Sequence, residues 1–190
     1  LWCAAIAHGA SSAAFRPGRS AVGSVMMPPL HSRLLETSFQ GSAQVHDLIE
    51  KPSVGIHARR ESVVVTADRG FSGDHAQKDW WKGARVPGRE VTAISLEVAT
   101  TLNVDPCIIG DNLITTGIDL KSLNPGDELH IGSVRLKRSE KDHRPCETFA
   151  RRVSQEAMLA VRETGTRGAL FYVVAGGTLS VGDSITVVRE

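Results

Sequence analysis

The chain has 190 residues, 41% of them hydrophobic, which is enough for one well-buried core and short for two. Its 22 Lys and Arg stand against 21 Asp and Glu, a formal net charge of +1. No overall field therefore recruits nucleic acid or an anionic membrane, and any anion site must be local. The longest apolar stretches, such as Ala169–Ala175, fall far short of the roughly 20 residues that a membrane span needs. Cys3, Cys107 and Cys146 are widely spaced with no CxxC pair. That usage predicts a reducing, cytoplasmic setting and no disulfide framework.

In chain order, residues 1–42 come first as a leader. The first 35 residues contain no Asp or Glu and are rich in Ala, Ser and Gly, with Arg16, Arg19 and Arg33. This composition suits a disordered leader or an organellar transit peptide, which would make a mitochondrion or another organelle the alternative compartment. Because the chain opens on Leu1, the leader is read as incomplete or as an upstream artefact, with Met26 or Met27 as the alternative start. The folded domain is expected over residues 45–190.

From about Val45, short apolar runs alternate with Gly, Pro, Asn and Asp, which predicts a mainly β domain. Strands are expected at Val54–Ile56, Ser62–Thr66, Val91–Ser95, Asn112–Thr116, Asp127–Ile131, Ser133–Arg138, Ala169–Ala175 and Ser184–Val188. Two helices interrupt them. One runs from about Leu96 to Asn103 with Ser95 as its cap. The other spans about Glu147–Thr164, with Phe149, Val153, Ala157, Ala160 and Val161 on one face and Gly165 just past its end.

Gly-Asp recurs four times, at residues 73, 110, 126 and 182. The last two precede alternating strands and read as plain tight turns. Gly73-Asp74-His75 and Gly110-Asp111-Asn112 each add a further polar side chain and are candidates for a site.

Cys146 follows Pro145 and opens the second helix, so its sulfur faces the positive end of the peptide dipoles, with Arg144, Arg151 and Arg152 nearby. That setting favours a thiolate, the form needed for metal ligation or sulfur transfer. A reading of Cys146 as a small buried hydrophobe stays open beside it, and Cys107 is expected to be core filler. His143, His75 and Cys146 offer only one closely spaced pair of zinc ligands where structural zinc uses two. A Cys–His catalytic pair with His143 or His75 also stays open. No phosphate loop of the GxxxxGK type and no GxSxG elbow is present. Basic residues at 59–60, 85–89, 135–138 and 144–152 read as solvated faces unless two converge on a phosphate.

The ordered set of stretches 69–75, Gly88–Ser95, Gly110–Leu113, Gly117–Leu120, Gly126–Gly132, Arg144-Pro145-Cys146, Arg167-Gly168 and Gly182-Asp183 resembles the MOSC domain, named for the C-terminal domain of molybdenum cofactor sulfurase. The resemblance covers about Val45 to the C-terminus and implies a β-barrel-like fold with peripheral helices and a pocket for the molybdenum cofactor. It implies Cys146 as the catalytic residue and protein ligand to molybdenum, a soft thiolate donor. Arg89, Asp111, Asn112, Arg144, Arg167, Asp74 and His75 are the expected cofactor-binding residues. Two departures matter: the family usually has Gly-Glu-Asn where Gly110-Asp111-Asn112 stands, and often Arg-Gln where Arg89-Glu90 stands.

Three functions follow from the resemblance. The first is molybdenum-dependent reduction of N-hydroxylated small molecules, with electrons from a separate reductase, since no flavin or iron–sulfur motif is present. A second is a carrier that hands on the cofactor or a Cys146 persulfide, supplied by a sulfur donor of the cysteine desulfurase type. The third is a non-catalytic binding module. Pyridoxal phosphate enters only as a family-level association with the sulfurase, whose pyridoxal-phosphate domain is not expected here.

Overall fold

A computed structural model describes residues 2–3 and 27–190; the remainder of the expected leader lies outside the described residues. The elements in order are β1 (Trp2–Cys3), α1 (Leu30–Leu35), β2 (Gln44–Ser53), β3 (Ile56–Arg60), β4 (Ser62–Thr66), β5 (Gly70–Phe71), β6 (Trp80–Trp81) and β7 (Ala84–Arg85). Then come β8 (Val91–Ser95), α2 (Leu96–Thr101), α3 (Pro106–Ile109), β9 (Leu113–Thr116), a 3-10 turn (Leu120–Ser122), β10 (Glu128–Ile131) and β11 (Val134–Arg138). The chain finishes with α4 (Glu147–Arg152), α5 (Gln155–Thr164), β12 (Ala169–Ala175), β13 (Gly177–Ser180) and β14 (Thr186–Val188). No helix among the described residues is long and apolar enough to cross a membrane.

Nine strands make one sheet in the order β1-β3-β2-β9-β8-β12-β11-β10-β14, and β13-β4-β5 make a smaller one. Within the large sheet β8 and β9 pair in parallel, with α2 and α3 forming the crossover between them. The large sheet does not close through a continuous ladder. Its far edge nevertheless curls back on β2: Val45 N–H donates to Asp183 O at 2.9 Å, Gly182 N–H to Val45 O at 2.8 Å and Ile185 N–H to Ala43 O at 2.8 Å. The body is mainly β and barrel-like in this loose sense, with helices on its outside.

Alternate residues of the central strands feed two cores, as the two-residue period of a strand requires. Leu48, Ala93 and Leu113 join Val65, Phe71, Leu129 and Phe171 in a core shared with the smaller sheet. Their neighbours Ile49, Ile94 and Ile114 face the helices and pack with Leu34, Val98, Phe149 and Val161. Strand β8 is accordingly buried at every position.

Strands Ser62–Thr66, Val91–Ser95 and Ala169–Ala175 form as the sequence predicts, and those around 112–116, 127–131, 133–138 and 184–188 form with slightly shorter bounds. Val54–Ile56 is a correction. Val54 and Gly55 make the turn between β2 and β3, where Gly55 has φ of 79°, and the strands on either side carry too many charged residues to show as apolar runs.

The long helix expected over Glu147–Thr164 is two helices, because Ser154 takes an extended conformation and its hydroxyl accepts from Ala157 N–H, starting α5 afresh. Ser95 precedes α2 but does not cap it through its side chain: its hydroxyl donates instead to Ile118 O at 2.8 Å. Cys107 is fully buried as expected, but its sulfur is in a disulfide, which corrects the expectation of a chain without one.

Helix α1 lies inside the segment read as a leader, yet Leu30 and Leu34 are buried in the helix-side core. The packed body therefore begins upstream of the expected boundary. Leu34→Ala should cost about 2–5 kcal/mol, the usual range for emptying a buried leucine site. Urea unfolding of the full chain measures it, and an unchanged midpoint would mean that α1 adds nothing to the fold.

Candidate functional site

The site starts from the parallel pair β8–β9. Asn112, just before β9, has its backbone fixed on both sides: its N–H donates to Thr92 O at 2.9 Å and its carbonyl accepts from Ile49 N–H at 2.8 Å. Its amide is thereby aimed among buried polar groups. Asn112 Nδ2 donates to Asp74 Oδ2 at 2.8 Å, and Asn112 Oδ1 accepts from Lys51 Nζ at 3.0 Å. Asp74 also accepts from the Lys51 backbone N–H at 2.7 Å and pairs with Lys78 Nζ at 3.3 Å. Thus the Gly73-Asp74 turn, the end of β2 and the start of β9 are tied by one carboxylate and one carboxamide.

Gly70 lies close against the segment just before β8. It has φ of 76°, and a Cβ there would fall 1.9 Å from the Glu90 carbonyl oxygen. Glu90 is itself buried, with its carboxylate accepting from Gly88 N–H at 2.9 Å and from Arg85 at 3.4 Å. The charge that departs from the usual family pattern is therefore used internally.

One residue before Asn112, the Asp111 carboxylate is 1% exposed and meets Arg167 Nη1 at 2.5 Å and His143 Nε2 at 3.6 Å. Burial opposes the Asp111 anion, but Arg167, by charge and hydrogen bond, and Lys51 outweigh it and hold the group below the usual carboxylate value. Arg167 in turn stacks over the Phe149 ring, 4.8 Å from its centroid. Desolvation, reinforced by Arg167, pushes His143 down to about 3, so its imidazole is neutral and its contact with Asp111 is not an ion pair. Burial and the neighbouring Lys78 push Lys51 down to about 7.

Cys146 is an exposed free thiol at the N-terminal boundary of α4, held in an extended conformation. Partial burial opposes its anion. The backbone N–H groups of Phe149 and Thr148, the Thr148 hydroxyl and Arg167 more than offset this and place the thiol below its ordinary value. The sulfur makes no capping hydrogen bond of normal geometry; the nearby donors act on it electrostatically. Arg152 adds a further positive charge and donates to Ile109 O at 3.3 Å.

Of the residues singled out from sequence, Asp74, Asp111, Asn112 and Arg167 are brought together around the enclosed cluster, with Cys146 at its edge. Arg89 is near enough for its charge to act on His143. His75 adjoins through its backbone, its N–H donating to Lys51 O at 2.8 Å. Arg144 is not gathered in: its side chain is 82% exposed and pairs with Asp142 at 3.1 Å.

Sequence reasoning missed Lys51, Lys78, Thr92 and Thr148. Only Lys78, four residues after Asp74, carried a local signal. The paired Gly-Asp turns separate as expected: Asp127 and Asp183 each accept from the backbone N–H three residues earlier at 2.8 Å, whereas Asp74 and Asp111 enter the cluster. No group of three His, Cys, Asp or Glu suited to a metal occurs among the described residues, so the zinc arrangement of His143, His75 and Cys146 does not form.

The MOSC domain family model matches residues 79–186, from the hairpin before β8 to the start of β14. This chain belongs to the MOSC domain family. The family is associated with molybdenum-cofactor binding.

Solved structures share the fold. The YuaD protein from Bacillus subtilis is 20% identical with a TM-score of 0.61, over 79% of this chain and 98% of that one. YiiM from Geobacillus stearothermophilus is 17% identical with a TM-score of 0.61, over 77% of this chain and 75% of that one. YiiM from Escherichia coli is 19% identical with a TM-score of 0.55, over 78% of this chain and 69% of that one. No curated protein sequence matches the chain.

Two outcomes follow for this MOSC domain. Alkylation of Cys146 by iodoacetamide should show its half-maximal rate at a pH below the roughly 8.5 of a free thiol, and Thr148→Val should move that midpoint up; a midpoint at or above 8.5 would contradict the electrostatics described. For Lys51, whose folded value lies below its unfolded one, the unfolded chain holds the extra proton between about pH 7 and 10. Stability from this group therefore rises with pH across that window. Relative to Lys51→Met, the unaltered chain should gain in urea midpoint from pH 7 to 10, and parallel profiles would refute it.

Proposed function

We propose that this MOSC domain holds the molybdenum cofactor with Cys146 as the protein ligand to the metal and acts in reduction of N-hydroxylated compounds. The observation that carries this reading is an exposed thiol whose anion is favoured, set at the edge of an enclosed cluster of paired charges from which Arg167 acts on it. A soft thiolate suits molybdenum, and cations beside it suit the anionic pterin.

The fit has a second support. Arg167 Nε and Asp111 Oδ1 are enclosed without a hydrogen-bond partner among the described residues. Buried polar atoms left in this way are costly, and a bound polar group relieves the cost.

When bound, the molybdenum centre supplies the redox chemistry. Cys146 would hold it, and Arg167 and Arg89 would face its negative charge. Asp111 fixes Arg167, while Asn112, Asp74 and Lys51 keep the two turns in register. Neutral His143 adds no charge of its own. His75 contributes through the turn it closes. Arg144 lies outside this set. Electrons would come from a separate electron-transfer reductase.

A second reading, a carrier that passes on the cofactor or a Cys146 persulfide received from a cysteine desulfurase-type donor, is favoured by the exposure of the thiol, which leaves it open to a partner protein.

Protein purified from a host that makes the cofactor should contain molybdenum near one equivalent, and Cys146→Ser should lose most of it. Molybdenum far below stoichiometry and indifferent to that substitution removes both readings. Loaded protein should reduce benzamidoxime with a chemical electron donor; metal retention without turnover leaves the carrier.

A further inference from the structure

Behind the segment that carries Cys146 lies a cleft of about 740 Å³ that the thiol itself does not line. Its size suits a small organic ligand. Four cationic side chains border it from separate elements: Lys121 on the 3-10 turn, Arg138 at the end of β11, Arg144 on the loop before α4 and Arg162 on α5. The acid on its rim is Asp142, which is already paired with Arg144. Lys121 and Arg162 have no ion-pair partner among the described residues, and the guanidinium of Arg162 reaches only Met158 Sδ, at 3.7 Å.

Two more observations point to a ligand. Arg138 donates through Nη1 to Ser139 O and, at 2.8 Å, to Lys141 O, yet its Nε is enclosed with no acceptor. His143, with a side chain 9% exposed, also lines the cleft with Nδ1 unpartnered. Desolvated donors of this kind beside uncompensated cations describe an anion site. Leu120, Pro145 and Val161 supply an apolar wall.

We propose that this cleft binds a phosphate monoester borne on an apolar or aromatic group, at a site separate from the Cys146 thiol. The phosphoryl oxygens meet the cationic side and the organic group lies along the apolar wall. The inference does not depend on the role assigned to Cys146.

Calorimetric titration of the full chain with phenyl phosphate, inorganic phosphate and phenol tests it. Phenyl phosphate should bind saturably and more tightly than either of the other two, and its affinity should fall as sodium chloride rises. Lys121→Gln with Arg162→Gln should weaken it about tenfold, the scale expected for losing charge-assisted contacts, with an unchanged thermal melt. Cys146→Ser should leave it unaltered. No saturable binding, binding indifferent to salt or to the double substitution, inorganic phosphate binding equally well, or loss of binding in Cys146→Ser would each overturn the proposal.

Discussion

The enclosed carboxylate of Asp111 is the contact on which the rest of the site depends. It joins the turn before β9 to Arg167, just before β12, and lies 3.6 Å from His143 Nε2, on the loop that delivers Cys146. Two segments far apart in sequence are thereby held at one point, and the positive charge of Arg167 is fixed where it can act on the thiol. A buried pair of this type adds little to net stability, because both charges lose their water. Its value is in orientation, since removing either partner strands the other.

The two cores explain why such a cluster can exist. Strands β8 and β9 are covered on both faces, by the smaller sheet on one side and the helices on the other. Polar groups at their N-terminal ends are therefore cut off from solvent and must satisfy one another. Asn112 does so with particular economy: its backbone completes ladder bonds to Thr92 and Ile49 while its amide bridges Asp74 and Lys51. Low dielectric strengthens these contacts and displaces the titration of His143 and Lys51 far from their ordinary values.

Much of this was legible in the sequence where the signal is local. Alternation in Val134–Arg138, the apolar run Ala169–Ala175 and the Pro-Cys before a helix all express themselves within a few residues. The same holds for the distinction between the two kinds of Gly-Asp turn, because Asn112 and His75 sit beside their aspartates. What was not legible is tertiary. Lys51 in a charged strand looks like any surface lysine until Asp74 and Asn112 are folded against it. The break at Ser154 was hidden because the apolar face of α4 and α5 keeps helical spacing across it, and Leu30 and Leu34 were masked by the acid-free composition around them.

The return of Gly182–Ile185 onto Ala43–Val45 has a kinetic consequence. These hydrogen bonds join segments separated by most of the chain, so the loop they close carries a large entropic cost before any contact repays it. During synthesis on the ribosome β2 must wait, with one part of its edge unsatisfied, until residues beyond 180 emerge. Such a half-built sheet exposes a template for pairing with other nascent chains. Acquisition of the native state is thus a late event, governed by the arrival of the distal segment rather than by stepwise growth from the first strand.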